Sequence, residues 1–250
     1  MSFVRVTKDD RVATLTLSRG KVNALNEPVV EEIHGCLEDL ENDHTIKSVI
    51  LTGEGKFFSF GFDIPEFLGY SKDAFAGFLT KFTDLYTYMF VFPKPIVAAC
   101  NGHTIAGGCM LATACDCRIM ASGKAKISLN EIGFGSSVFA GSVEMLKFCV
   151  GQKNAWQILC SGAMYSAEEA RQLGLIDQVS SEEVLMDEAR RTALDFAEKD
   201  SVAFAGIKKL LRKPVAEEMV RREPGSIREF IDIWYSANTR ENLKRIKIRS

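Results

Sequence analysis

The sequence predicts an α/β domain followed by a helical C-terminal region. Two observations carry this: β-branched apolar runs alternate with helix-period runs up to about residue 180, and every later segment reads as helix. A chain of 250 residues with 46% apolar content is long enough to bury a large core of this kind.

The elements follow in order. Residues 2–7 and 12–17 alternate apolar and polar side chains around a turn at Asp9-Asp10, which predicts two paired strands. From Glu27-Pro28, with proline tolerated in a first helical turn, Val29, Ile33, Cys36, Leu37 and Leu40 recur at helical spacing. Ser48-Val49-Ile50-Leu51-Thr52 then reads as a buried strand ending at Gly53-Glu54-Gly55. A second helix is predicted over 72–91, stopping before Pro93-Lys94-Pro95, and Ile96 to Cys100 is another buried strand. Asn101-Gly102 turns the chain, Ala106-Gly107-Gly108 opens a helix through Ala114, and Arg118 to Ala121 returns as a strand. Ser166-Ala167-Glu168-Glu169 has the capping-box pattern, with Gly174 as the helix stop before a strand over Leu175 to Val179. The tail reads as helices over 183–199, 201–211, 215–222 and 226–240, with Pro214 and Pro224 as breaks. The expected division is a core over 1–185 and a helical region over 186–250.

A formal charge of −2 gives no reason to expect nucleic acid, and the basic pairs Lys208-Lys209 and Arg221-Arg222 read as solvated helix faces. Seven cysteines in apolar surroundings, without disulfide-framework spacing, read as reduced core thiols. Cys115-Asp116-Cys117 with His103 and Cys109 lacks metal-site spacing, so no metal is expected. Met1 to Arg5 has no leader pattern and Lys247-Ile248-Arg249-Ser250 no sorting pattern, which makes a cytoplasmic location the expectation. No apolar run approaches the roughly 20 residues of a membrane span.

Chemistry is expected at three strand-to-helix turns: Phe57 to Asp63, Asn101 to Gly108, and Leu129-Asn130-Glu131. Such turns gather at one edge of an open α/β sheet, where ligands bind. Gly107-Gly108 permits close backbone approach, and a helix N-terminus presents unpaired N–H groups to a developing anion; a glycine pair also serves plain tight packing. His103 reads as a turn residue. Ten of the seventeen phenylalanines fall between Phe57 and Phe92, either as a core stripe or as walls of a pocket.

Lys21-Val22-Asn23-Ala24-Leu25-Asn26, Phe57 to Ile64, Asn101-Gly102 through Cys109, Asp116 to Ala121 and Ala167 to Asp177 stand in an order that resembles the crotonase (enoyl-CoA hydratase/isomerase) superfamily. The resemblance covers residues 2–180, and its motifs are specific jointly rather than singly. It implies a crotonase-like spiral of β-β-α units, a C-terminal helical trimerisation region giving a homotrimer or hexamer, and an acyl-CoA thioester substrate. No separate cofactor is implied, since coenzyme A is part of the substrate. The N–H groups of Phe62 and Gly107 would form the oxyanion hole. Lys21, Val22, Ala24, Phe60, Gly61, Asp63 and Ile64 would line the CoA path, and Met110 and Asn130 are also expected among the substrate-binding residues.

Hydratases of the superfamily use two glutamates. Glu131 matches the second, but Met110 stands where the first is expected. Gly-Gly-Cys followed by an apolar residue is similar to the mitochondrial-type 3,2-enoyl-CoA isomerases, although other single-glutamate members, such as carboxymethylproline-synthase-like enzymes, share the feature. One carboxylate can move a proton from C2 to C4 of a 3-enoyl thioester but is poorly equipped to add water. The apolar neighbours Ile132, Phe134, Val138 and Phe139 predict a raised Glu131 pKa. Weak hydration, or acyl-CoA binding without catalysis, are the alternative readings.

Overall fold

The structure, a computed structural model, describes residues 2–246; the expectations for Met1 and for 247–250 lie outside the described residues. The chain opens with strands β1 (Val4–Asp9) and β2 (Val12–Leu17), then helix α1 (Glu27–Asn42). Strands β3 (Ser48–Gly53) and β4 (Phe57–Ser59) lead to a short helix α2 (Ile64–Phe67) and the long α3 (Lys72–Val91). Next come β5 (Ile96–Cys100), β6 (His103–Ile105) and α4 (Gly107–Ala114), then β7 (Cys117–Ala121) and β8 (Ile127–Ser128). Helices α5 (Ala140–Ser161) and α6 (Ala167–Leu173) precede β9 (Gln178–Ser180), and α7 (Leu185–Ala197), α8 (Ser201–Trp234) and α9 (Ala237–Lys244) complete the described chain.

Two sheets are built in alternation. The larger has the order β1-β2-β3-β5-β7-β9, parallel except for β1 with β2; the smaller is β4-β6-β8, all parallel. After the β1-β2 pair, each pass of the chain gives one strand to the large sheet and the next to the small one before a helix returns it. That is the β-β-α spiral. All residues of β3 and β5 are buried because both faces are covered: Ile50, Val97, Ala99 and Ile119 meet α7, while Val49, Leu51 and Ala98 join the main core. At the edge, β1 buries only Val4.

The Ser166 capping box and the left-handed Gly174 cap form as expected, and Ser71 caps α3 by accepting from the Ala74 N–H. Several expectations are corrected. Pro214 and Pro224 do not break the tail; both lie inside α8, a single helix. The carbonyls that lose a donor belong to Leu210 and Val220, which are exposed and open to water, so the missing bonds are tolerated. The strand placed at 175–179 is confined to Gln178–Ser180, since Leu175 and Ile176 are buried at the exit of α6. His103 begins β6, and Cys160 is exposed on α5. Helix α5, interrupted at Gly151, had no counterpart in the sequence pattern.

The tail is held by inward-facing charge. Lys208 is buried, its Nζ 2.6 Å from the Asp116 carboxylate, and Arg212 lies 3.2 Å from the same group while donating to the carbonyls of Phe90, Ala114 and Cys115. Lys208 thus departs from the solvated reading, because burial of one charge requires its partner. Arg221 and Arg222 do remain outside, paired with Glu218 and Glu144. No described helix is long and apolar enough to cross a membrane.

Candidate active site

The three strands of the small sheet run parallel, so their carboxyl ends share one edge. Phe60–Asp63, Ala106–Gly108 and Leu129–Glu131 follow those ends and are brought together there. The 21–26 segment is laid beside the first of them by backbone bonds from Phe60 to Val22 (2.9 Å), Leu25 to Gly61 (2.7 Å) and Asp63 to Leu25 (3.0 Å). The Ser59 hydroxyl adds a bond to the Asn23 carbonyl. The buried Asn23 amide holds the bend by donating to the carbonyls of Glu54 and Phe57.

Leu25 pairs with Phe62 so that the bonds pass through the flanking residues, and no described group accepts from the Phe62 N–H. Gly107 begins α4, where an N–H has no partner within the helix, and it too finds none among the described residues. Ala106 before it has φ 50 and ψ −118, a strained setting for a residue with a Cβ, held by its N–H to the Ser128 carbonyl at 2.8 Å. The Phe62 turn packs against this helix start. At Gly61, with φ +88, a Cβ would lie 3.0 Å from the Gly107 nitrogen, so only glycine lets the Phe62 turn come this close. Gly108 has the packing role: a Cβ there would lie 2.5 Å from the Ser59 carbonyl oxygen.

Glu131 opens a single 3₁₀ turn, Glu131–Phe134, whose own carbonyl accepts from Gly135 and Ser136. The C-terminal helix grips this turn: Thr239 donates to the Gly135 carbonyl at 2.6 Å and Asn242 to that of Phe134 at 3.3 Å. The Glu131 side chain is buried with one carboxyl oxygen unpartnered among the described residues, and burial pushes its pKa up to about 8. Ile132 is half exposed and takes no part in that burial.

Glu131 faces a cavity of about 170 Å³. Of the residues singled out in the sequence, Phe60, Phe62, Ile64, Gly107, Met110, Asn130 and Glu131 line it. Lys21, Val22, Ala24, Gly61 and Asp63 do not. Lys21 is exposed on the adjoining segment, the Ala24 carbonyl accepts from Arg19, and Asp63 caps α2 and pairs with Arg19 at 2.7 Å. The Phe75, Phe78 and Phe82 rings of α3 lie behind the wall, against the Phe62 ring at 6.5, 5.1 and 4.8 Å between centroids. Phe134 and Phe139, named in the sequence only as apolar neighbours of Glu131, also line it, and missed as lining residues are Phe230, Trp234 and Ile246. In the C-terminal region where the resemblance implies trimerisation, Phe230, Ile231 and Trp234 are buried against their own chain, because α8 folds back on α3 and α5, while Ile233 stays partly exposed. Glu131 is the one ionisable side chain on the cavity among the described residues, and no described cluster of His, Cys, Asp or Glu could hold a metal.

The sequence profile of the family "Enoyl-CoA hydratase/isomerase" matches residues 7–246. A probable enoyl-CoA hydratase of Bacillus subtilis (strain 168) is 36% identical over 214 residues, covering 84% of this chain and 82% of the relative. Human mitochondrial enoyl-CoA delta isomerase 1 is 29% identical over 235 residues, covering 93% and 78%. The crystal structure of human mitochondrial delta3-delta2-enoyl-CoA isomerase superposes with a TM-score of 0.93 at 29% identity, over 97% of this chain and 95% of that one. With its spiral of paired strands, its Gly107-Gly108 helix start and a profile match over nearly its whole length, the chain belongs to the enoyl-CoA hydratase/isomerase family, the crotonases.

Proposed function

We propose that the protein isomerises a 3-enoyl-CoA to the 2-trans-enoyl-CoA. The observation that carries this is a lone buried carboxylate, Glu131, on an apolar cavity also lined by Phe62 and Gly107, whose N–H groups have no acceptor among the described residues, with Met110 in place of a second acid. The thioester oxygen accepts from Phe62 and Gly107. Glu131, as carboxylate, removes a C2 proton, and the electron pair spreads through the C3–C4 double bond and the carbonyl as a dienolate. The protonated Glu131 returns the proton at C4, leaving a C2–C3 double bond and the carboxylate restored; no oxidant or reductant is consumed. Each oxyanion donor contributes about 2.7–4 kcal/mol in comparable enzymes, so the two N–H groups together supply a large part of the fall in the barrier. Lys21, Val22, Ala24, Phe60, Gly61, Asp63 and Ile64 lie along the route we assign to CoA, and Asn130 stands beside the base. Hydration requires a second group to hold and deprotonate water, and the buried Met110 excludes water from that position.

The test compares conjugated-enoyl formation from 3-hexenoyl-CoA with hydration of crotonyl-CoA on the purified protein. Isomerisation should be far faster; hydration that equals or exceeds it would overturn the assignment. A homotrimer or hexamer is proposed with it, supported by the exposed Val202, Leu210, Leu211 and Val220 along α8. Sedimentation showing only monomer at micromolar concentration would reject that part.

A further inference from the structure

The cavity that holds Glu131 is closed by residues from a distant part of the chain. On one side stand the loops of the small sheet with the reacting groups; on the other stand Phe139, at the start of α5, and Phe230 and Trp234, on α8. Phe230 and Trp234 are 2% and 1% exposed, so neither can swing outward without unpacking. Their rings are wedged: Phe230 lies 4.5 Å from Phe139 and 5.6 Å from Trp234, and Trp234 lies 4.8 Å from Phe75, measured between centroids. The helices bearing them are also locked together. Both Glu223 carboxylate oxygens accept from the Gly141 N–H, at 3.0 and 3.1 Å, two residues beyond Phe139, and the Tyr86 hydroxyl donates to the same group.

We infer that Phe230 and Trp234 set the acyl-chain limit, and that the protein takes short straight-chain acyl groups of up to about six carbons. The inference rests on the acyl-CoA reading of the site. The cavity measures about 170 Å³. An apolar protein cavity of about 150 Å³ holds benzene, a six-carbon ligand. The space must take the thioester carbonyl, the reacting carbons and the remaining tail together, so a hexenoyl group fills it. A longer tail meets the wedged rings, which are packed against Phe75 and Phe139.

The test measures the affinity of saturated butyryl-, hexanoyl-, octanoyl-, decanoyl- and dodecanoyl-CoA by calorimetry. Saturated ligands do not turn over, so the result is independent of whether Glu131 isomerises anything. Each buried methylene can raise affinity up to about fourfold, so hexanoyl-CoA should bind up to about 15-fold more tightly than butyryl-CoA. From hexanoyl onward the wild-type affinity should be flat or falling. Trp234→Leu and Phe230→Leu, checked by circular dichroism, should move the break outward by roughly two carbons, because each opens space behind the wall. Wild-type affinity that climbs at the same slope through dodecanoyl-CoA would overturn the limit, as would folded variants with the wild-type profile. A break at hexanoyl in a chain that fails to isomerise would sink the isomerase reading and leave the limit standing; no binding of any acyl-CoA would sink both.

Discussion

Replacing Glu131 by glutamine separates the demands of catalysis from those of stability. The Glu131 carboxyl has its pKa raised by burial from an ordinary 4.5 to about 8. Between those values the unfolded chain releases a proton that the folded chain keeps, so this group makes the fold less stable as pH rises. The slope is about 1.4 kcal/mol per pH unit, or about 3 kcal/mol between pH 5 and pH 7.5. Glutamine has nearly the same shape and does not titrate. Other carboxylates contribute equally to both chains and cancel in the difference. Urea unfolding of wild type and Glu131→Gln at the two pH values should therefore show the variant gaining about 3 kcal/mol on the wild type over that interval. The same variant should lose at least about 100-fold in turnover of 3-hexenoyl-CoA. Parallel stability curves would refute the buried, proton-retaining carboxyl, and near-native turnover would remove Glu131 from the mechanism.

The wild-type kcat/KM for isomerisation should rise about tenfold per pH unit and level near pH 8, because the base works deprotonated and its pKa is raised to about 8; a flat profile from pH 6 to 9 would contradict it. Gly61→Ala places a methyl group 3.0 Å from the Gly107 nitrogen at a backbone φ of +88. It should destabilise by about 1–3 kcal/mol and depress turnover at least about tenfold, and unchanged turnover would mean that the paired N–H groups do not receive the carbonyl. Met110→Glu should raise crotonyl-CoA hydration modestly, since a carboxyl placed in that apolar position without supporting donors stays protonated; loss of both activities in a folded variant would show that Met110 serves packing alone.

Segments with strong local signals were readable in the sequence. The ends of α3 follow from the Ser71 cap and the Pro93-Lys94-Pro95 stop, and β3 and β5 from unbroken apolar runs. The small sheet was not readable as a sheet, because strands of two or three residues are too short to show a period. Helix α5 was hidden by Gly141, Gly151 and the Gly162 cap, which dilute its pattern. Prolines 214 and 224 carried a local rule that tertiary packing overrides. In the site, Gly107 was marked by a glycine pair opening a helix, and Glu131 by the match of its segment to the second glutamate of the resembling family. The Phe230 and Trp234 wall and the Thr239 grip on the Glu131 turn carried no such mark, since they join residues about a hundred positions apart, which no window on the sequence connects.

The buried Asp116, Lys208 and Arg212 cluster ties the first half of α8 to the end of α4, while Glu223 and the Tyr235 hydroxyl tie its second half to α5 and to Tyr70. Removing one partner of such a cluster leaves a stranded charge and costs about 3–5 kcal/mol, so α8 has no inexpensive partial detachment. Its amide protons should then exchange with solvent only when the whole molecule opens, in the same slow class as β3 and β5. Most surface helices fray independently of the core they cover; this one shares the fate of the central sheet, and the dimensions of the cavity it closes should hold through ordinary thermal fluctuation.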